Sequence, residues 1–203
     1  MVDEYKDNLN KTLNFLKQQL SRAAVDSRHE LHHVYLTTVG AEYPEVRTVI
    51  LRAVDWEKNS LSFHTDLRSK KYSELFQNSR ASVLGYSHKK KFQIRLRGQI
   101  ILNHKNEAAK KSWQRLNVSS RRCYLAASPG AYLPEAGNGL SELHNSVDLK
   151  IPATETGFDH FVSVTLIIQE IEWLLLDRQG HRRALFKFNK GQESPEDQTW
   201  LCP

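Results

Sequence analysis

Two cysteines, Cys123 and Cys202, are all the chain has in 203 residues. They match no metal-ligand spacing and make no disulfide framework, so the expected setting is a reducing compartment, the cytoplasm. No apolar run reaches the roughly 18 residues a membrane helix needs. The polar, acidic start MVDEYKDNLN does not read as a secretory leader. There is no internal repeat and no low-complexity tract. Gly137-x-Gly139 falls short of the full dinucleotide fingerprint, and no strand leads into it. The run His29-Glu30-Leu31-His32-His33 lacks the H-E-x-x-H spacing. A strand over 31–39 would send its histidines to alternate, exposed faces, so no metal site is expected. Positive charge is not lacking: 29 Lys and Arg against 23 Asp and Glu give +6. That favours anionic ligands without separating a phosphate cofactor from nucleic acid.

The length suits one domain over 1–203, large enough to bury about 70% of its unfolded surface. Tyr5, Leu9, Leu13, Leu16 and Leu20 recur at helical spacing. They predict an amphipathic helix over 3–24, within an N-terminal segment 1–26, capped by Asp3 and packed on the main body. Strand patterns fall at 31–39, 46–54, 60–65, 80–86, 92–103, 161–176 and 181–188, with a turn at 55–59. In 92–103, Phe92, Ile94, Leu96, Gly98, Ile100 and Leu102 share one face, and Gln93, Arg95, Arg97 and Gln99 the other. Gly98 marks a bend or bulge. Helices are expected at 69–77, 106–116, 119–126 (capped by Ser119 or Ser120) and 141–149. A Pro- and Gly-rich loop over 127–140 and a linker over 151–159 complete the plan. The segment 104–150 is then a helical insertion with a loop. Many hairpin-connected strands with few helices predict a mainly β fold, an antiparallel barrel with peripheral helices. The long apolar strand 161–176 exceeds what one small barrel hides and fits a partner chain.

The stretch 47–71, RTVILRAVDWEKNSLSFHTDLRSKK, carries the chemistry. Two strands meet the start of a helix there. A helix N-terminus offers unpaired amides and a positive dipole end. Ser69 can cap or donate, Lys70 and Lys71 add charge, and Arg47 offers a planar fork. Each charge-assisted hydrogen bond of this kind is worth about 1.5–3 kcal/mol. The combination suits a phosphomonoester. A solvated lysine pair is the plainer alternative. Lys89, Lys90, Lys91, Arg95 and Arg97 with Phe92 support a rival, a cofactor-free barrel binding single-stranded nucleic acid, although the RNP aromatic signature is missing.

Order adds information. R-T-V-I-L-R (47–52), F-H-T-D-L-x-S-K-K (63–71), N-S-R-A-S-V-L-G-Y (78–86) and Q-I-R-L-R-G (93–98) follow one another, and I-E-W-L (171–174) and G-H-R-R (180–183) come later. This series resembles the pyridoxamine 5′-phosphate oxidase family of FMN-binding proteins, chiefly over 30–103. The resemblance implies an FMN-binding split barrel. It implies a homodimer with two flavins at the interface, each held by both chains. It puts Arg47, Ser69, Lys70 and Lys71 on the FMN phosphate, with His64 and Thr65 beside the phosphate-binding turn. Thr48, Val49, Ile50, Leu51 and Arg52 would line the ring through the strand backbone, with Gln93 and Arg183 at its edges. The implied reaction is hydride transfer from a small substrate, such as a B6 vitamer phosphate, to FMN N5, with oxygen reoxidising the flavin to release peroxide. An FMN reductase of another small molecule, or a non-catalytic flavin-binding protein, fits the same residues. The chain departs from the family in three places. His64 stands where a tyrosine is usual. Leu174 follows Trp173 where the family has an aromatic pair whose tryptophan lies on the flavin. The ending Trp200-Leu201-Cys202-Pro203 lacks the family's arginine. In the family, the region after 104 holds the substrate's phosphate, but no position here matches one by one. No side chain stands out as a catalytic acid or base.

Overall fold

A computed structural model of the protein describes residues 4–146, 149–189 and 192–203. Its sheet runs, in spatial order, β2 (Pro44–Ile50), β1 (His33–Val39), β5 (Arg80–Ser87), β6 (Phe92–Asn103), β7 (Phe161–Leu175), β4 (Ser60–Asp66) and β3 (Ala53–Asp55). The hairpin strands β8 (Arg182–Lys187) and β9 (Asp197–Leu201) leave this path, β8 pairing with the second half of β7. All these pairings are antiparallel.

The strand expected over 46–54 is cut in two, for a geometric reason. β2 pairs with β1 along its length, and Leu51 N still donates to His32 O at 2.9 Å. One residue on, Arg52 N donates to Ser62 O of β4 at 2.8 Å. The chain thus changes partners at 51–52, passing from one end strand of the curled sheet, β2, to the other, β3. Leu51 points inward and is fully buried. Fully burying one such side chain contributes about 1.5–3 kcal/mol.

β6 is as expected over its whole length. Phe92, Ile94, Leu96 and Ile100 are buried. Gly98 sits at a bulge, where Arg97 pairs with Glu170 but Gly98 with Ile168. A Cβ on Gly98 would stand 1.9 Å from Ile167 O, so only glycine lets the strands approach so closely there.

The N-terminal helix, α1 (Leu9–Val25), lays Leu13, Leu16, Leu20 and Ala23 on the core. Its cap is Asn8, whose side chain accepts from Lys11 N at 3.0 Å. The expected cap, Asp3, lies outside the described residues, and residues 4–7 form a 3-10 turn rather than α-helix. His32 precedes β1 instead of alternating along it. It is buried, with Nδ1 2.7 Å from Ala23 O, and is therefore not one of a row of exposed strand histidines. Helix α2 (Lys70–Gln77) follows β4.

The insertion has its own small core. Helix α3 (Glu107–Gln114) places Trp113 against Tyr124, Phe158 and Phe161. Buried Arg121 stacks on Trp113, 4.8 Å from its ring, and pairs with Glu155. The helix expected over 119–126 is a short α4 (Val118–Arg122) capped by Asn117, followed by a 3-10 turn, Cys123–Leu125. Neither Ser119 nor Ser120 is the cap. The expected linker is a 3-10 helix, Ile151–Asp159, which buries Thr154 and Gly157. The helix expected over 141–149 is a turn at 142–145, and its residues 147–148 lie outside the described residues. β9 was not legible, because its polar, half-exposed sequence gives no strand signal.

Candidate functional site

The corner where the chain changes partners also lines a cavity. Thr48, Val49 and Ile50 of β2, Arg52 just beyond it, His64 of β4, Lys71 of α2 and Tyr124 of the insertion line a space of about 210 Å³. Six of these seven are predicted site residues. Tyr124 is the one missed. It lies over fifty residues further along the chain, and only the docking of the insertion's own core brings it here.

Two features define the electrostatics. Among the described residues, the side chains of Lys71 and Arg52 make no ion pair or hydrogen bond. Burial, and secondarily the charge of Arg47, hold the Lys71 pKa below that of an ordinary lysine. An anion in the cavity would relieve this. His64 is pushed down to about 4, by burial first and the Arg52 charge second. It is therefore a neutral imidazole at pH 7, edge-on to Phe161 with ring centroids 4.9 Å apart. Burial raises the Tyr124 hydroxyl pKa, keeping it a neutral donor. Two cations with no ion-pair partner among the described residues and two neutral donors line one cavity that no carboxylate enters, an arrangement suited to a compact anion.

The remaining predicted phosphate ligands stand beside the cavity with their side chains engaged. The Arg47 guanidinium donates to buried Glu74 at 2.8 Å, to Glu45 O at 3.0 Å, and to Thr38. Lys70 pairs with Glu45. The Ser69 hydroxyl is buried, donates to Asp66 O at 2.7 Å and lies 3.0 Å from the Thr65 hydroxyl. Ser69 occupies the N-cap position of α2 without a side-chain capping bond. Ser69 and Thr65 thus brace the turn that presents Lys71.

Gln93 and Arg183 form a second group. Both oppose Leu174 in the strand register, so one row across β6, β7 and β8 reads Gln93–Leu174–Arg183. Trp173 faces the core. Its ring is fully buried beside Tyr5 and Trp200, and Leu174 occupies the outer face. Arg183 is not a solvated hairpin cation, since it grips Glu172 at 2.9 Å.

The two groups lie at opposite ends of β7. His64 pairs with Ser163, and Gln93 and Arg183 flank Leu174, eleven residues further on. That is roughly 35 Å of strand at 3.3 Å per residue. Within one chain the two groups are not one site.

The nucleic-acid alternative loses its main parts. Phe92 is fully buried and cannot stack on a base. Arg95 and Arg97 pair with Glu172 and Glu170. Among the described residues no three His, Cys, Asp or Glu side chains gather as a metal site, and no helix is long and apolar enough to cross a membrane.

Residues 12–104 match the family described as pyridoxamine 5′-phosphate oxidase, FMN-binding domain. The chain is 28% identical over 125 residues to pyridoxine/pyridoxamine 5′-phosphate oxidase 2 of Arabidopsis thaliana. That alignment takes in 56% of this chain and 63% of the relative's length. A pyridoxamine 5′-phosphate oxidase-related, FMN-binding protein of Nostoc punctiforme superposes with a TM-score of 0.74 at 22% identity, covering 94% of this chain and 96% of that one. PhzG of Burkholderia lata, solved with tetrahydrophenazine-1-carboxylic acid, superposes with a TM-score of 0.68 at 21% identity, covering 100% and 98%. These structures share the fold. The unpaired cations on the cavity fit the phosphate of FMN, the cofactor of the matched domain. Over residues 12–104 the chain is thus similar to the FMN-binding domain of pyridoxamine 5′-phosphate oxidases, and its fold is that of the related FMN-binding protein of Nostoc punctiforme.

Proposed function

We propose that the protein is an FMN-dependent oxidoreductase, a single domain over 1–203 that works as a homodimer in the cytoplasm. The observation that carries this reading is the cavity where Lys71 and Arg52 converge without a carboxylate. It takes the FMN phosphate, helped by the free amides at the start of α2. The backbone of Thr48–Arg52 runs along the flavin. Gln93 and Arg183 reach the ring's edge from a second copy, because their own cavity is too far along β7. Arg47, Ser69, Thr65 and Lys70 hold the phosphate turn in shape, and Leu51 anchors it to the core.

Bound FMN supplies a two-electron acceptor, to which a small substrate gives a hydride and which oxygen then reoxidises. The chain's own contribution is to hold the phosphate, cover the ring and place a cation at its edge. The relative's printed name favours a B6 vitamer phosphate as substrate. A second reading, a reductase or oxidase of another heterocycle, draws support from Leu174, which puts no aromatic ring on the outer face. The test is to mix FMN-loaded protein anaerobically with pyridoxine or pyridoxamine 5′-phosphate and then admit air. Bleaching of the flavin, then recovery with peroxide release, supports the oxidase. Bleaching by a reduced nicotinamide cofactor but by neither vitamer supports the second reading.

A further inference from the structure

Glu172 is the carboxylate behind the second group of residues. It is 8% exposed and lies on β7 opposite Arg95 of β6 and Leu185 of β8. One carboxylate oxygen takes Arg95 Nη2. The other takes Arg183 Nη2 at 2.9 Å and Nε at 3.2 Å. A single buried acid therefore grips two guanidiniums across three strands. Arg95 Nε is buried and has no partner. Removing one partner of such a group leaves uncompensated charge, so its occupants are fixed in place.

We propose that Glu172 is a positioning residue that fixes the Arg183 guanidinium at the flavin edge and offsets part of its charge, and so holds the flavin's reduction potential down. The inference rests on the FMN reading above, with Arg183 facing the ring of a second copy. A cation at that edge stabilises reduced, anionic flavin. A carboxylate tied to the same cation works against it. Removing the carboxylate's charge while keeping its shape must then favour the reduced form. A residue that merely braced the sheet would change stability and leave the potential alone.

The experiment compares wild-type protein with Glu172→Gln, first by FMN content and then by the equilibrium between oxidised and reduced bound flavin against a reference dye. The expected result is full FMN content and a ratio of reduced to oxidised FMN affinity raised about tenfold, about 30 mV for a two-electron couple. Glu172→Asp, which keeps the charge, should stay near wild type. In an Arg183→Gln background the effect of Glu172→Gln should largely disappear. Glu172→Met, similar in volume and uncharged, replaces the glutamine variant if that fails to fold. A variant that binds FMN with an unchanged ratio overturns this inference alone. A wild-type protein that takes up no FMN overturns the flavin reading and this inference with it.

Discussion

Replacing Lys71 with methionine isolates the proposed phosphate contact. Methionine keeps most of the apolar stem, so packing around the half-buried side chain is preserved. The ammonium makes no direct ion pair among the described residues, and burial together with Arg47 outweighs the more distant Asp66 and Glu74 in disfavouring its charge. The apoprotein should therefore be as stable as wild type, or slightly more so. FMN binding should suffer, because one charge-assisted hydrogen bond to the phosphate is lost. Such a bond is worth about 1.5–3 kcal/mol, which corresponds to roughly a tenfold to 150-fold weaker Kd. Riboflavin has the same ring and ribityl chain but no phosphate, so its affinity should be unchanged within about twofold on the same energy scale. Titrating apoprotein with each flavin and following the flavin fluorescence gives both numbers. Equal losses for FMN and riboflavin would refute the phosphate assignment, and so would full FMN affinity in the variant.

Arg47→Ala should behave differently, because it strips Glu74 of its guanidinium partner. Glu74 is 6% exposed, and an unpaired charge there costs about 3–5 kcal/mol, so denaturant unfolding should show a large stability loss even without FMN. His64 has a folded pKa of about 4 against an ordinary 6.5. The unfolded chain thus takes up a proton that the folded chain refuses, and stability falls as pH drops through that window, by about 3 kcal/mol at pH 4. Unfolding of His64→Gln at pH 7.5 and pH 4 should lack this component, and an identical loss in both proteins would contradict it. Gly98→Ala forces a Cβ to 1.9 Å from Ile167 O. Overpacking costs about 1–3 kcal/mol, and because the obstacle is backbone the loss should sit at the top of that range or above it in a urea melt. Lys71→Met and Arg183→Gln chains each weaken FMN binding when alone. Mixed and re-annealed, they should recover up to one good site per heterodimer, and no recovery would argue that each site is built from one chain.

Much of the barrel could be read along the sequence because its signals are local. The alternation from Phe92 to Asn103 named a strand, its buried face and, at Gly98, its bulge. The helix start at Ser69–Lys71 was equally visible, since its residues are adjacent in the sequence. What escaped depends on contacts between distant segments. The partner switch at Leu51–Arg52 requires knowing that His32 and Ser62 flank the same corner. Tyr124 reaches the cavity only because Trp113, Arg121 and Glu155 lock the insertion in place. The division of the phosphate set was hidden for the same reason. Arg47 and Lys71 look alike in sequence, and only Glu74, twenty-seven residues from Arg47, tells them apart.

A flavin site shared between two copies has a direct test in native mass spectrometry of the protein titrated with FMN. The predicted spectrum shows a dimer carrying two FMN and a monomer carrying none. A monomer that binds FMN as tightly as the dimer, or a dimer that stays free of FMN at saturation, would contradict it.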